Sequence, residues 1–205
     1  MSKQLKADML LLLVAFIWGS TFVLIKNAIN DIPPYTFIFI RHLLAFIFLS
    51  IVFIRRYKSI NKHVLIYSLI IAVFLFAGSA LQTVGLIYTT ASNSVFITSL
   101  SVVFVPIMSL LFFRKAPDRS ALFGIPVAIL GLALLTLDEG LSINTGDIYT
   151  FMCAICFGAS VILIERFTNK VDSILLAMLQ IIFIAAISGG FSLALERSIY
   201  TSIIF

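Results

Sequence analysis

Seven stretches of roughly twenty apolar residues, separated by brief polar breaks, dominate the 205-residue chain and decide what it can fold into. They fall at 7–29, 35–54, 64–88, 95–113, 121–137, 148–164 and 174–195. A helix of about twenty residues, rising 1.5 Å per residue, crosses the roughly 30 Å hydrocarbon layer and satisfies its own backbone hydrogen bonds. The expectation is therefore an all-α polytopic membrane protein, a helical bundle. Only 11% of residues are charged and the mean hydropathy is +1.17, too few charges to coat a water-soluble fold.

The first stretch runs on past the length of a secretory signal core, with no small-residue cleavage pattern after it, and reads as a retained first span. Short polar breaks make successive helices antiparallel neighbours. With the N-terminus on the cytoplasmic side, Lys3, Lys6, Arg55, Arg56, Lys58, Lys62, Arg114, Lys115, Arg119, Arg166 and Lys170 all fall inside. Lys26 and Arg197 alone fall outside. That bias predicts a multi-pass protein of the cell membrane with a cytoplasmic N-terminus. It also accounts for the net charge of +5 without nucleic acid, since the bases sit only between apolar stretches.

Shifting the chain by 139 residues lays Ala7-Asp8-Met9 on Gly146-Asp147-Ile148, Ala15 on Ala154, Trp18 on Phe157, Gly19 on Gly158, Thr21 on Ser160 and Arg41 on Gln180. The first helix thus resembles the sixth, and the second the seventh. A repeat of five helices is odd in number, so two copies must enter the bilayer from opposite sides, as in secondary transporters with inverted repeats. The division expected is a five-helix repeat over 1–140 and the first two helices of an inverted second repeat, with the beginning of a third, over 141–205.

The segment Trp18-Gly19-Ser20-Thr21-Phe22, Arg41 in the second helix, the run Tyr88-Thr89-Thr90-Ala91-Ser92-Asn93-Ser94 leading to Pro106, and the helix from Gly124 to Gly131 together resemble the drug/metabolite transporter superfamily, EamA type. The resemblance implies a ten-helix carrier of two five-helix repeats, both termini cytoplasmic, that exports amino acids or related metabolites. This sequence departs from the pattern by ending at Phe205, where an eighth helix would begin. It also carries Arg114-Lys115 where the family often has a Glu.

Ionisable groups within a bilayer are costly and hence candidates for function. Arg41 sits about seven residues into its helix, roughly 10 Å deep. It either offers charge to a solute carboxylate or phosphate, or holds helix ends and backbone carbonyls together. His42 points about 100° away on the same helix and reads as structural or interfacial. Trp18 and Phe22 share a face of the first helix and are candidates for an aromatic-lined cavity, with packing or lipid contact the competing role. Gln82 lies between Gly78 and Gly85, where helices can approach closely. Asn93, Ser94, Thr98 and Ser101 give the fourth helix a polar stripe that lines a solute path or bonds neighbouring helices, and Pro106 is the candidate hinge. Gln180, the counterpart of Arg41, completes the solute-binding set. Lys26 reads as a headgroup anchor, and Tyr57, Tyr88, Tyr149 and Tyr200 as interfacial belt residues.

No carboxylate falls at mid-membrane, which argues against proton- or sodium-driven antiport and favours facilitated passage. Cys153 and Cys156 have C-x-x-C spacing but lie in an apolar helix without neighbouring His, Asp or Glu, so they read as packing residues. No metal, cofactor or catalytic set is expected, and the chain is not expected to be an enzyme. An intramembrane protease would need a nucleophile motif that Gly78-Ser79-Ala80 lacks. A seven-helix receptor or sensor is the other competing reading, prompted only by the helix count. The expected partners are a small organic solute, the lipid bilayer and, in a homodimer, a second copy.

Overall fold

The protein is described by a computed structural model covering residues 3–114, 123–127, 130–131, 134 and 144–196. Seven α-helices have both ends among the described residues, and no strand occurs among these residues: α1 (Lys3–Ala28), α2 (Pro34–Val52), α3 (Lys62–Tyr88), α4 (Ala91–Ser99), α5 (Ser101–Phe113), α6 (Thr145–Thr168) and α7 (Ser173–Leu195). A 3-10 helix, Ile54–Ser59, joins α2 to α3. Helices α4 and α5 together make one span, so six spans long and apolar enough to cross a membrane lie among the described residues. The all-α polytopic architecture is as expected. The fifth expected stretch, 121–137, lies mostly outside the described residues; 123–127, 130–131 and 134 are helical.

The starts of these helices are written in the polar breaks. Pro33 and Pro34 open α2, where a missing N–H costs nothing. Asn61 caps α3 by accepting from the Val64 amide at 3.0 Å, and Thr90 caps α4 by accepting from the Asn93 amide at 3.1 Å. Asn144 and Asp147 form a reciprocal capping box at α6. Asp172 accepts from the Ile174 and Leu175 amides of α7.

Helix α3 is the axis of the packing. It touches α6 and α7 extensively and also meets α1, α2 and α4. One apolar cluster, Val64, Ile71, Phe167, Leu175, Leu176 and Leu179, joins α3, α6 and α7. A second, Ile38, Ala72, Phe76 and Ile184, joins α2, α3 and α7. Close approach depends on glycine. A Cβ on Gly85 would lie 3.0 Å from the Gly146 carbonyl oxygen, and one on Gly146 would lie 2.5 Å from the Gly85 carbonyl oxygen. The sequence pointed to Gly78 and Gly85 as places of close approach, and both face α6, Gly78 against the ring of Phe157. Large apolar side chains meanwhile remain exposed on every span, as a lipid-facing surface requires.

Three sets of contacts fix how the helices run. Near the end of α1, the Lys26 ammonium donates to the carbonyls of Leu86, Ile87 and Thr89, closing the C-terminus of α3. The Thr89 hydroxyl in turn donates to Asp147 at 2.6 Å, at the start of α6. Glu196, after α7, accepts from the Tyr35 and Thr36 amides and the Thr36 hydroxyl at the start of α2. At the opposite end Arg56 pairs with Asp172 at 2.5 Å. Every contact joins segments that simple up-and-down alternation places at the same end. The C-terminus of α1 and the N-terminus of α6 share an end, so these two helices, related by the 139-residue shift, run in opposite directions.

Lys26 therefore corrects one expectation. Its charge is spent on the last carbonyls of α3, where a cation also meets the negative end of the helix dipole, instead of reaching for headgroups.

Asp172 leads to a pH prediction. The α7 amides, Leu175 first, together with Arg56, hold its carboxyl below the ordinary aspartate range, against a smaller opposing effect of burial. A lowered carboxylate pKa contributes stability that is complete above the ordinary range and is lost as pH falls through the folded value. The expected result is a melting temperature that drops between pH 5 and pH 3 by less in Asp172→Asn than in the parent, read by circular dichroism in detergent. Equal acid sensitivity in both would refute this role.

Candidate functional site

At the Lys26 end, Phe22 and Ile25 of α1 and Leu86 of α3 form a buried apolar cluster, with Phe37 of α2 and Ala91 and Val95 of α4 packed on it. Four helices thus meet in a seal about one turn thick. One turn deeper on the same helices lie Trp18, Arg41, Gln82 and Thr98, each three or four residues from a member of the seal. Counting from the helix ends at that side, Arg41 is seven residues past Pro34, Gln82 six before Tyr88 and Thr98 seven past Ala91. All three are about 9–11 Å deep at 1.5 Å per residue.

The polar members of this layer differ in how they are satisfied. Gln82 donates from Nε2 to the Thr98 hydroxyl at 3.4 Å, both residues buried, and the Cys153 thiol of α6 sits beside the same hydroxyl. Ser94, one turn nearer the seal, is fully buried, and its hydroxyl has no hydrogen-bond partner among the described residues; the buried carbonyl oxygen of Gln180, elsewhere on α7, likewise has none among them. Other buried hydroxyls nearby satisfy themselves on their own helix, Thr83 on Ser79 and Thr150 on Gly146. The guanidinium of Arg41 lies 5.6 Å from the centroid of the Phe37 ring. Among the described residues it makes no hydrogen bond or ion pair. His42 turns away and bonds the Ile38 carbonyl at 2.8 Å. A cation, an amide and hydroxyls at one depth offer donors to an anionic or zwitterionic group.

Not every candidate joins this layer in the same way. Phe22 is 4% exposed and belongs to the seal above it, whereas Trp18 is 58% exposed and stands on the outer surface of α1. Ser101 is half-buried where α5 crosses Gly158 of α6, and Asn93 lies half-buried in the first turn of α4. Gln180 is seven residues past Ser173 and so lies near the opposite end of the bundle, apart from Arg41. The fourth span is interrupted at Leu100, six residues before Pro106, through which α5 runs on. At the break the Leu100 amide bonds the Ile97 carbonyl and the Val103 amide bonds the Leu100 carbonyl, one tightened turn.

The contacts at the helix ends leave little trace in the sequence. Glu196, Thr36 and Ser192 form one hydrogen-bonded group, and Thr89, Asn144 and Asp147 another. Asn144 and Asp147 carry a local signal, a capping pattern at a helix start, and Glu196, Thr36 and Ser192 carry none.

Comparison with known proteins gives this geometry its setting. Residues 5–137 match the model of the EamA-like transporter family. An uncharacterized transporter of Archaeoglobus fulgidus (strain ATCC 49558 / DSM 4304 / JCM 9628 / NBRC 100126 / VC-16) is 36% identical over 190 residues, covering 93% of this chain and 59% of that protein. A second uncharacterized transporter from the same organism is 26% identical over 176 residues, covering 83% of this chain and 57% of its own length. The chain thus spans somewhat over half the length of these curated relatives. No solved structure matches. With a family match across well over half of the residues and a bundle of apolar spans to go with it, the chain belongs to the EamA-like transporter family.

Proposed function

We propose that the full-length protein carries small organic solutes, amino acids or related metabolites, across the cell membrane by alternating access, with its N-terminus in the cytoplasm. The observation that carries this reading is the layer beneath the apolar seal. Arg41 holds a charge that no described residue neutralises, at the depth of Gln82 and Thr98. An uncompensated cation in a span is expensive, and a solute carboxylate or phosphate is a natural counter-ion for it.

The antiparallel run of α1 and α6 supports the division into a repeat over 1–140 and an inverted repeat starting at 141. In such a carrier the two repeats rock about a site between them. The seal of Phe22, Ile25, Phe37, Leu86 and Val95, clamped by Lys26, is suited to closing one side.

The deciding experiment is flux of a panel of amino acids and related solutes through vesicles bearing the full-length protein. Saturable movement of at least one solute above protein-free vesicles is expected. Rates equal to those of empty vesicles across the panel would reject the proposal.

A further inference from the structure

The two ends of the bundle differ sharply in charge. Among the described residues the Arg56 end carries Lys3, Lys6, Arg55, Arg56, Lys58, Lys62, Arg114, Arg166 and Lys170 against Asp8, Glu165 and Asp172, whereas the other end carries Lys26 against Asp31, Asp147 and Glu196. Within the basic end, the 3-10 helix Ile54–Ser59 and the first residues of α3 form a distinct surface. Arg55, Lys58 and Lys62 are exposed and make no ion pair or hydrogen bond with any described residue. Ile54 and Ile60 stand exposed among them, at 66% and 40%.

We propose that this surface docks anionic phospholipid headgroups, with Arg55, Lys58 and Lys62 meeting the phosphate and Ile54 and Ile60 entering the acyl boundary. Charge complementarity selects the partner. Three uncompensated cations at the bilayer interface attract an anionic leaflet. A zwitterionic surface supplies no such net field. The start of α3, whose Val64 amide is already capped by Asn61, adds the positive end of its dipole.

The surface is also held in shape. The Tyr57 hydroxyl shares a 2.6 Å hydrogen bond with Ser50 of α2, and Arg56, between the docking residues, is tied to Asp172 before α7. The turn therefore presents its bases on a fixed frame, and less ordering is needed when a headgroup arrives. The docking residues lie at the opposite end of the bundle from the Arg41 layer, away from the proposed solute site.

The test uses the full-length protein in neutral detergent, with phosphatidylglycerol, phosphatidylcholine or soluble glycerol phosphate added, and reads the melting temperature. Phosphatidylglycerol should raise it by on the order of 5 °C at low salt. The rise should shrink as salt is added and be largely lost in R55Q/K58Q/K62Q. An equal rise with phosphatidylcholine, a rise unaffected by the triple substitution, or a rise insensitive to salt would each overturn the proposal. An equal rise with glycerol phosphate would overturn the lipid as partner.

Discussion

Gly146→Leu is expected to abolish the folded bundle, and Gly146→Ala to weaken it more than alanine at any other described glycine. A methyl group there would meet the Gly85 carbonyl oxygen at 2.5 Å and the Thr89 amide nitrogen at 2.7 Å. Both are backbone atoms, so no side chain can rotate away and α3 and α6 must separate. Overpacking costs typically 1–3 kcal/mol even where side chains can adjust. Separation would also stretch the Thr89–Asp147 contact and remove the dispersion contacts that hold helices together in lipid.

The glycines rank themselves. Gly85→Ala meets backbone and side-chain atoms at 3.0–3.1 Å and should cost less than Gly146→Ala. Gly78→Ala meets only the Phe157 ring, whose rotation relieves it at the price of local packing. Gly19→Ala and Gly190→Ala have nothing within 4 Å and should be neutral or slightly stabilising. Melting in detergent, followed by circular dichroism, gives the order. A Gly146→Ala protein that melts with Gly19→Ala would contradict the packing described.

The six described spans and their antiparallel order were legible because hydropathy alone fixes them. A run such as 64–88 has no alternative to a membrane helix. The faces were harder to read. These helices are apolar nearly all round, and no polar side marks which surface meets protein. Spacing alone puts Trp18 and Phe22 on one face, yet Phe22 fills the seal while Trp18 points outward, since the side that α1 buries depends on where α3 and α4 lie. Gly78 and Gly85 announced a close approach but not that α6 makes it. Lys26 could not reveal the α3 carbonyls it caps, sixty residues away, nor Glu196 the amides of α2. Such pairings are set by tertiary contact and leave no local pattern. Pro106 drew attention to the right span, but the tightened turn lies on its N-terminal side at Leu100.

Arg41→Ala in the full-length carrier should lower flux of carboxylate-bearing solutes on the order of 10- to 100-fold, the range expected when a charge-assisted hydrogen bond is lost. Arg41→Lys should retain part of the flux, because the charge remains while the planar fork is gone. A merely structural arginine would affect all solutes alike and would lower the melting temperature as well. Arg41 makes no hydrogen bond to any described helix, so the fold should melt within a few degrees of the parent. Arg56→Gln, at the far end of the bundle, should leave flux unchanged.

The most direct test is therefore side-by-side flux of an anionic or zwitterionic solute and a related solute lacking the carboxylate, in vesicles bearing the parent, Arg41→Lys or Arg41→Ala protein. The polar layer beneath the seal predicts a graded loss confined to the carboxylate-bearing solute, with the fold intact. Undiminished flux in Arg41→Ala, or an equal loss for both solutes, would contradict it.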